Sequence, residues 1–391
     1  MKVLVVAQYV SVHTRVGRLL NQLIESGHDV TLVTANFDHS AKKRNLDLSY
    51  FHGVNCIKIE VLGYRKTLGL MRVLSNYIFA KKINKVLNKS IGFDAAVVTV
   101  PTAISAKKLS KIAKKKSFPL IMDVLDLWPQ ALPIPKRLTT VLQPILKIWY
   151  KHNENVYKNA SGLVSHSKNY LSYLNKLTES KILTRHIPLG CYPSENVAEE
   201  TKDHSSIITI GYAGNLGWSY DFDTVLEAIA KLNRNSQNKI HLKLIGDGER
   251  REELLKKAKE HGVDLTVTGI VPHNSLLKCL SECSIGIIPF RKDTIVSWPY
   301  KVNDYLSVGI PIVCSIEGEV GEILIEEKAG IVYEAGSSQD LTSKLSSLLS
   351  SVDLQNKMKK NALNLANRLE VSKVYQSYVD FLVEVVRGGS S

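Results

Sequence analysis

The strongest restriction on what this chain can fold into is its regular alternation of short apolar runs with longer segments of helical periodicity. "KVLVVA" precedes "TRVGRLLNQLIESGH", whose Gly27 is a helix stop, and "DVTLVTA" follows. "DAAVVTV", "PLIMDVL" and "SGLVSHS" continue the series. The second half repeats it, with "IITIGYAG" leading to "DFDTVLEAIAKLN", "IHLKLIGDG" to "ERREELLKKAKEHG", "DLTVTG" to "HNSLLKCLSEC" and "SIGIIPF" to "YKVNDYLSVG". Short apolar runs separated by helices are the pattern of parallel strands with crossover connections, so an α/β, doubly wound chain is expected. At 391 residues it is too long for one core. The expectation is two Rossmann-like domains facing an interdomain cleft: residues 1–189, a polar linker over 190–205, a second domain over 206–370, and a closing helix over 371–387 that packs back on the first domain.

Charge separates the two halves. Residues 1 to 190 hold 29 Lys and Arg against 10 Asp and Glu, and the remainder holds 22 against 27. Between 65 and 116 there are 13 basic side chains and one acid, Asp94. In "LSNYIFAKKINKVLNK" and "AKKLSKIAKKK" the apolar residues recur at three and four, the pattern of basic amphipathic helices. Such helices suit an anionic membrane surface, where each cation near the headgroups contributes about 1 kcal/mol. Lys111, Lys114, Lys115 and Lys116 are the expected contacts, with a merely solvated helix face as the plain alternative. Nucleic acid is not expected as a partner, since no zinc finger or stacking-aromatic motif accompanies the charge. No run approaches the roughly 20 apolar residues of a membrane span, and "MKVLVVAQYV" reads as a buried strand rather than a signal peptide. Five scattered cysteines read as reduced thiols. A protein peripheral on the cytoplasmic face of a membrane is expected.

Open α/β sheets bind ligands at the carboxyl ends of their strands, which confines the search to the strand-to-helix turns. "GYAGNLG" places Gly214 and Asn215 ahead of a helix whose free N–H groups suit a phosphate, and "GDG" holds Gly246 and Gly248 in a similar turn. Tight strand–helix packing accounts for these glycines equally well. Arg291 and Lys301 flank the loop before "YKVNDYLSVG", and Lys301 stands where a cation and a helix start both attract a diphosphate. Asp304, one turn further on, has a carboxylate that can accept two hydrogen bonds from a ribose diol. A surface lysine and a helix-start acid are the plain readings. "DVLDLWP" puts Asp123 and Asp126 at a strand end, and "SVHTR" puts His13 and Arg15 at the first strand–helix turn, a common place for anion binding. Asp221 and Asp223 form an Asp-x-Asp that reads as a helix cap ahead of a metal site.

Taken together, these pieces resemble the retaining glycosyltransferases of family 4, which have the GT-B fold. "YAGNLGWSYDFDTVLEAI", "LIGDGERREEL", "TGIVPHNSLLKCLSECSIGIIP", "YKVNDYLSVGIPIV" and "AGIVYEAG" stand in that family's order. Asp126, Leu127, Trp128 and Pro129 spell a sequence frequent in the bacterial branch that builds lipid-linked surface polysaccharides. The resemblance implies transfer of a hexosyl or N-acetylhexosaminyl group from a nucleotide diphosphate sugar, uridine-linked, to a saccharide on an isoprenoid diphosphate, with neither cofactor nor metal. It implies a base resting on Gly269, Ile270 and Val271, a ribose on Asp304, and a diphosphate on Arg291, Lys301 and the Gly214–Asn215 turn. Gly246, Gly248, Glu319 and Glu322 complete the implied donor site. Asp126 would orient or deprotonate the acceptor hydroxyl, with His13 as second choice, and Arg15 and the four lysines would face the acceptor and membrane. The chain departs from the family where Val296 replaces a glutamate, Leu125 a histidine and Glu319 a glycine, where "VSVHTR" replaces a glycine-rich loop, and where the Arg and Lys usual after "YAG" are missing. A nucleotide-sugar epimerase of the same fold is the alternative. A nicotinamide dehydrogenase would need a Gly-x-Gly-x-x-Gly that "GNLG" and "GDGER" do not supply.

Overall fold

The computed structural model describes residues 1–39, 42–64, 69–87, 92–100, 103–129, 136–194, 197, 207–235, 239–292, 294 and 296–388. These form two compact units, Met1–Pro188 together with the chain from Ser372 onward, and Leu189–Val371.

The first unit runs β1 (Lys2–Val6), α1 (Arg15–Glu25), β2 (Asp29–Ala35), the short pair β3 (Phe37–Asp38) and β4 (Lys43–Arg44), β5 (Val54–Ile59), α2 (Leu70–Leu87), β6 (Ala95–Val100), α3 (Ala103–Lys116), β7 (Leu120–Val124), α4 (Lys136–Tyr157), β8 (Gly162–Ser165), α5 (Lys168–Thr178) and β9 (Leu183–His186). Its seven-stranded sheet is parallel in the order β5-β2-β1-β6-β7-β8-β9, so the winding reverses between β1 and β6. Val3–Val6 of β1 and all of β7 are buried on both faces, which is why these strands read as unbroken apolar runs. The edge strands β5 and β9 are only partly covered and carry mixed side chains, "VNCIKI" and "LTRH", and the apolar-run reading passes over both.

The second unit runs β10 (Ile207–Ala213), α6 (Phe222–Asn235), β11 (Lys239–Ile245), α7 (Arg251–His261), β12 (Asp264–Val267), α8 (His273–Ser281), β13 (Ile285–Ile288), α9 (Tyr300–Val308), β14 (Ile312–Cys314), α10 (Glu319–Glu326), β15 (Gly330–Val332), α11 (Ser338–Leu349) and α12 (Val352–Arg368). Its six strands are parallel in the order β12-β11-β10-β13-β14-β15, the doubly wound pattern with its reversal between β10 and β13. The last helix, α13 (Val371–Gly388), packs on the first unit: a Cβ at Gly162 of β8 would stand 2.9 Å from Val385, and Arg185 meets Glu384 at 2.5 Å. Of the expected linker, residues 195–196 and 198–205 lie outside the described residues. Its opening is part of the second unit, since Cys191 exchanges backbone bonds with Leu369 and Val371 at 2.6 and 2.9 Å and the Gly190 carbonyl accepts from Asn303.

Arg15 belongs to the core, not to a ligand surface. It is 1% exposed, its Nε donates to Asp123 Oδ2 at 2.7 Å, and its Nη1 donates to the carbonyls of Ile187 and Pro188 at 2.6 and 3.0 Å. The expectation that it faces acceptor or membrane is therefore corrected, because the guanidinium is used up in joining α1, β7 and the end of the first unit. Removing one partner of such a pair strands the other charge in the core. Arg15→Ala or Asp123→Ala is expected to destabilise the first unit by about 3–5 kcal/mol, read as a lowered denaturation midpoint, whereas Arg15→Met with Asp123→Leu should recover most of it.

Candidate functional site

The reversal between β10 and β13 brings the loops that follow them to one place, the position where such sheets bind ligands. The loop after β10 is stacked backbone to backbone on the loop after β11. Gly214 N–H donates to the Ile245 carbonyl at 2.9 Å, Leu216 N–H to Asp247 at 2.9 Å, and Arg250 N–H to Leu216 at 3.1 Å. A Cβ at Gly246 would lie 1.9 Å from the Gly214 carbonyl oxygen, and one at Gly248 would lie 2.6 Å from Leu216 backbone atoms. These two glycines are thus required by loop-on-loop contact. Gly214, at φ +131°, is different: the nearest atom to its missing side chain is the ammonium of Lys301, at 3.2 Å.

Lys301 is the second residue of α9, and it is 8% exposed. Its Nζ donates to Tyr212 Oη at 2.7 Å and lies 3.9 and 4.0 Å from the ring centroids of Tyr212 and Tyr220, with Phe290 at 5.9 Å. Burial among these rings holds the ammonium well below the usual lysine range, and only Asp304 pulls the other way. Cation–π attraction offsets part of that cost. The Tyr212 hydroxyl in turn donates to the Asn215 carbonyl at 2.7 Å, so one phenol ties the lysine to the glycine loop.

Asp304, one turn along α9, is paired through Oδ1 with His273 Nε2 at 3.0 Å, and each side chain is about a quarter or less exposed. His273 begins α8 in "TGIVPHN", and no local pattern marks it, because its partner is 31 residues away. Before it, Gly269 turns at φ +76° and Ile270 is 87% exposed. Val271 is half-buried. Arg291 is 46% exposed, with Nη2 3.9 Å from Asp223. Arg291, Thr294, Val296, Ser315 and Glu317 help to line a cleft of about 270 Å³. Glu319, buried at the start of α10, lies 3.5 Å from the hydroxyl of Ser297, the neighbour of Val296, while Glu322 on the same helix is exposed.

The Asp-x-Asp is structural. Asp221 accepts from Thr224 N–H and Oγ at 3.3 and 2.8 Å and so caps α6, and Asp223 is held by Arg250 and Lys257 at 2.8 and 2.6 Å. Among the described residues, no three of His, Cys, Asp and Glu come together in a group that could hold a metal ion.

In the first unit, Asp126 stands just beyond β7. Burial pushes its carboxyl up to about 6, against the opposing field of Arg72. Arg72, on α2, spans the rings of Tyr9 and Trp128, 5.4 Å from each centroid, and its Nε donates to Tyr9 Oη at 3.3 Å. Trp128 meets Trp149 of α4 edge-on at 6.4 Å. His39, Lys42 and Tyr64 adjoin Tyr9. None of Tyr9, His39, Lys42, Tyr64 or Arg72 is singled out by sequence reasoning, because apart from His39 and Lys42, which share the connection between β3 and β4, they come from separate segments of the chain. His13 is exposed in the turn ahead of α1. On α3, Lys111, Lys114 and Lys115 point outward, Lys114 reaching Asn159 at 2.8 Å, whereas Lys116 donates to the Leu87 carbonyl at 2.8 Å and closes the end of α2.

Residues 195–365 match the family model "Glycosyl transferases group 1". No curated protein matches the chain. Among solved structures, sucrose-phosphate synthase from Thermosynechococcus elongatus is similar at TM-score 0.74 and 15% identity, over 99% of this chain and 100% of that one. Anabaena HepE in complex with UDP gives 0.70 and 14% over 98% and 100%, and WaaG, a glycosyltransferase involved in lipopolysaccharide biosynthesis, gives 0.69 and 13% over 98% and 99%. At these identities the likeness is one of fold, the GT-B fold of two Rossmann-like units. The match of residues 195–365 to glycosyl transferases group 1, on that fold, supports a glycosyltransferase enzyme.

Proposed function

We propose that the protein is a retaining transferase of the family 4 kind that moves a sugar from a uridine diphosphate sugar to a saccharide carried on an isoprenoid diphosphate, at the cytoplasmic face of a membrane, in the synthesis of a bacterial surface polysaccharide. The observation that carries this reading is the buried Lys301 ammonium, held in an aromatic cage against Gly214 at the reversal point of the second sheet. A buried cation beside a glycine turn suits a diphosphate, and HepE, similar in fold, is described with UDP and with UDP and glucose. Lys301 and Arg291 would take the diphosphate and Asp304, fixed by His273, the ribose. The turn at Gly269, Ile270 and Val271 would take the base. The cleft beside Val296 would take the sugar, with the buried Glu319 supplying the carboxylate that Val296 cannot. Charge developing on the leaving diphosphate is then met by fixed cations, and a metal is dispensable. Asp126 would accept the proton of the acceptor hydroxyl, or orient it toward a donor phosphate oxygen.

Thermal unfolding with a panel of nucleotides tests this. A uridine diphosphate or its sugar should stabilise the second unit by about 2.7 kcal/mol at a hundred times its dissociation constant, with or without magnesium. Stabilisation only by other nucleotides, or only with magnesium, would sink the donor reading. Conversion of a sugar nucleotide incubated alone, seen by NMR, would favour the epimerase.

The membrane reading rests on the exposed lysines of α3 and on apolar side chains left in solvent on the neighbouring helices. Leu70, Met71, Val73, Leu74 and Tyr77 are exposed on the first half of α2, and Val141, Ile145 and Ile148 on α4. The exposed face of α2 is thus more apolar than its basic sequence suggests, a combination suited to the headgroup boundary. Among the described residues, no helix is long and apolar enough to cross a membrane. Lys111→Glu with Lys115→Glu should weaken binding to anionic vesicles at low salt by at least about tenfold, at about 1 kcal/mol per cation removed, and should leave binding to neutral vesicles unchanged. Equal binding to both kinds of vesicle would reject this surface.

A further inference from the structure

The carboxyl edge of the first sheet gathers three nitrogen-bearing side chains that no motif connects. Lys42 Nζ is 3.4 Å from His39 Nδ1, and His39 Nδ1 is 2.5 Å from Tyr64 Oη. The His39 ring lies 4.6 Å from that of Tyr9, which carries Arg72 on its face at 5.4 Å. Lys42 holds its place at φ +55°, a conformation costly for a side-chain-bearing residue. Partial burial, then Lys42 and Arg72, hold the His39 imidazole down to about 4 against a smaller pull from Asp38, and Lys42 is itself lowered by burial and by Arg72. Like charges gathered in one place oppose folding, and such an arrangement is retained where an anion completes it.

We propose that Arg72 and Lys42 form a phosphate site on the first unit that takes the diphosphate of the acceptor, with the rings of Tyr9 and Trp128 beside it as the face for the attached sugar. The assignment rests on the lipid-diphosphate reading above and narrows it. Asp126 lies within the field of Arg72, so phosphate site and base are neighbours. The accepting hydroxyl then belongs to the sugar joined directly to the diphosphate, and the preferred acceptor is a lipid-diphosphate monosaccharide rather than a longer chain.

The test is calorimetric titration of the full chain in a Lys301→Ala background, which silences the proposed diphosphate site of the second unit. The probes are an alkyl-diphospho-N-acetylhexosamine, the same sugar as a neutral alkyl glycoside, and inorganic pyrophosphate. Arg72→Gln and Lys42→Gln should each weaken the diphospho-sugar and pyrophosphate by about ten- to a hundredfold, the range of a lost charge-assisted hydrogen bond, and the neutral glycoside by less than about twofold. Arg72→Lys should retain most of the affinity. Equal losses on charged and neutral sugars would show a packing role only and overturn the site, as would no loss on any probe. Pyrophosphate bound through Arg72, with neither sugar bound, would uphold the phosphate site and remove the lipid-linked acceptor.

Discussion

Lys301→Met is expected to raise the melting temperature of the unliganded protein by a few degrees while abolishing its response to UDP. Both effects come from one atom. The ammonium sits in a cage of Tyr212, Tyr220 and Phe290, where burial disfavours its charged form, and Met fills that space without charge. Replacing a charge that burial disfavours by an apolar side chain of similar volume removes its desolvation cost. The sign of the pH dependence follows. The folded lysine has the lowered pKa, so between that value and the ordinary lysine value the unfolded chain holds a proton that the folded chain lacks, and stability rises with pH across that window. Lys301→Met removes this slope. A bound diphosphate favours the charged form, so wild-type UDP affinity should fall as pH rises through the lowered lysine value, and the variant should show no such fall. On turnover, losing a fixed cation that meets charge on the leaving group is expected to cost about 10²–10³-fold in kcat/KM. UDP affinity within about twofold of wild type in Lys301→Met would place the donor site elsewhere.

How much of this was legible in the sequence follows from which interactions are local. Strands buried on both faces announce themselves as apolar runs, and β1, β2, β6, β7 and the inner strands of the second sheet were readable for that reason, while the half-covered edges β5 and β9 were not. The placement of Lys301 and Asp304 at the start of α9, one turn apart, was readable because helix start and spacing are local. Arg15 was misread because the fact that decides its role, Asp123, is 108 residues distant and meets it only once α1 is laid over β7. The glycines of "GDG" signalled a close approach correctly, but not what approaches, which is the Gly214–Leu216 backbone itself. His273 left no mark in the sequence because its partner Asp304 is 31 residues away, and the cluster around Tyr9 and Arg72 left none because its members come from separate segments that meet at the carboxyl edge of the first sheet.

Asp126→Asn should show the same opposition of stability and function in the first unit. Burial raises the carboxyl to about 6, above its value in an unfolded chain, so between roughly 4 and 6 the folded state holds the extra proton. Stability therefore falls as pH rises through that window, and at pH 7 the ionised, buried carboxylate is a cost that Asn does not carry. Asn should accordingly be as stable as wild type or more so at pH 7 and lose the pH 4–6 slope. As a general base, Asp126 acts only when ionised, so kcat/KM for transfer should rise through about pH 6 and level off above it. The Asn variant should lose about 10²–10⁴-fold. Arg72 distinguishes a base from a mere scaffold: its charge lowers the Asp126 pKa, so Arg72→Gln should move the activity midpoint to higher pH, and a purely structural arginine would leave that midpoint where it was. A flat profile down to pH 5, with Asp126→Asn keeping more than about a tenth of the activity, would remove Asp126 from the chemistry, since loss of a general base costs far more than that. The exposed His13, in the turn ahead of α1, would then be the next side chain to replace.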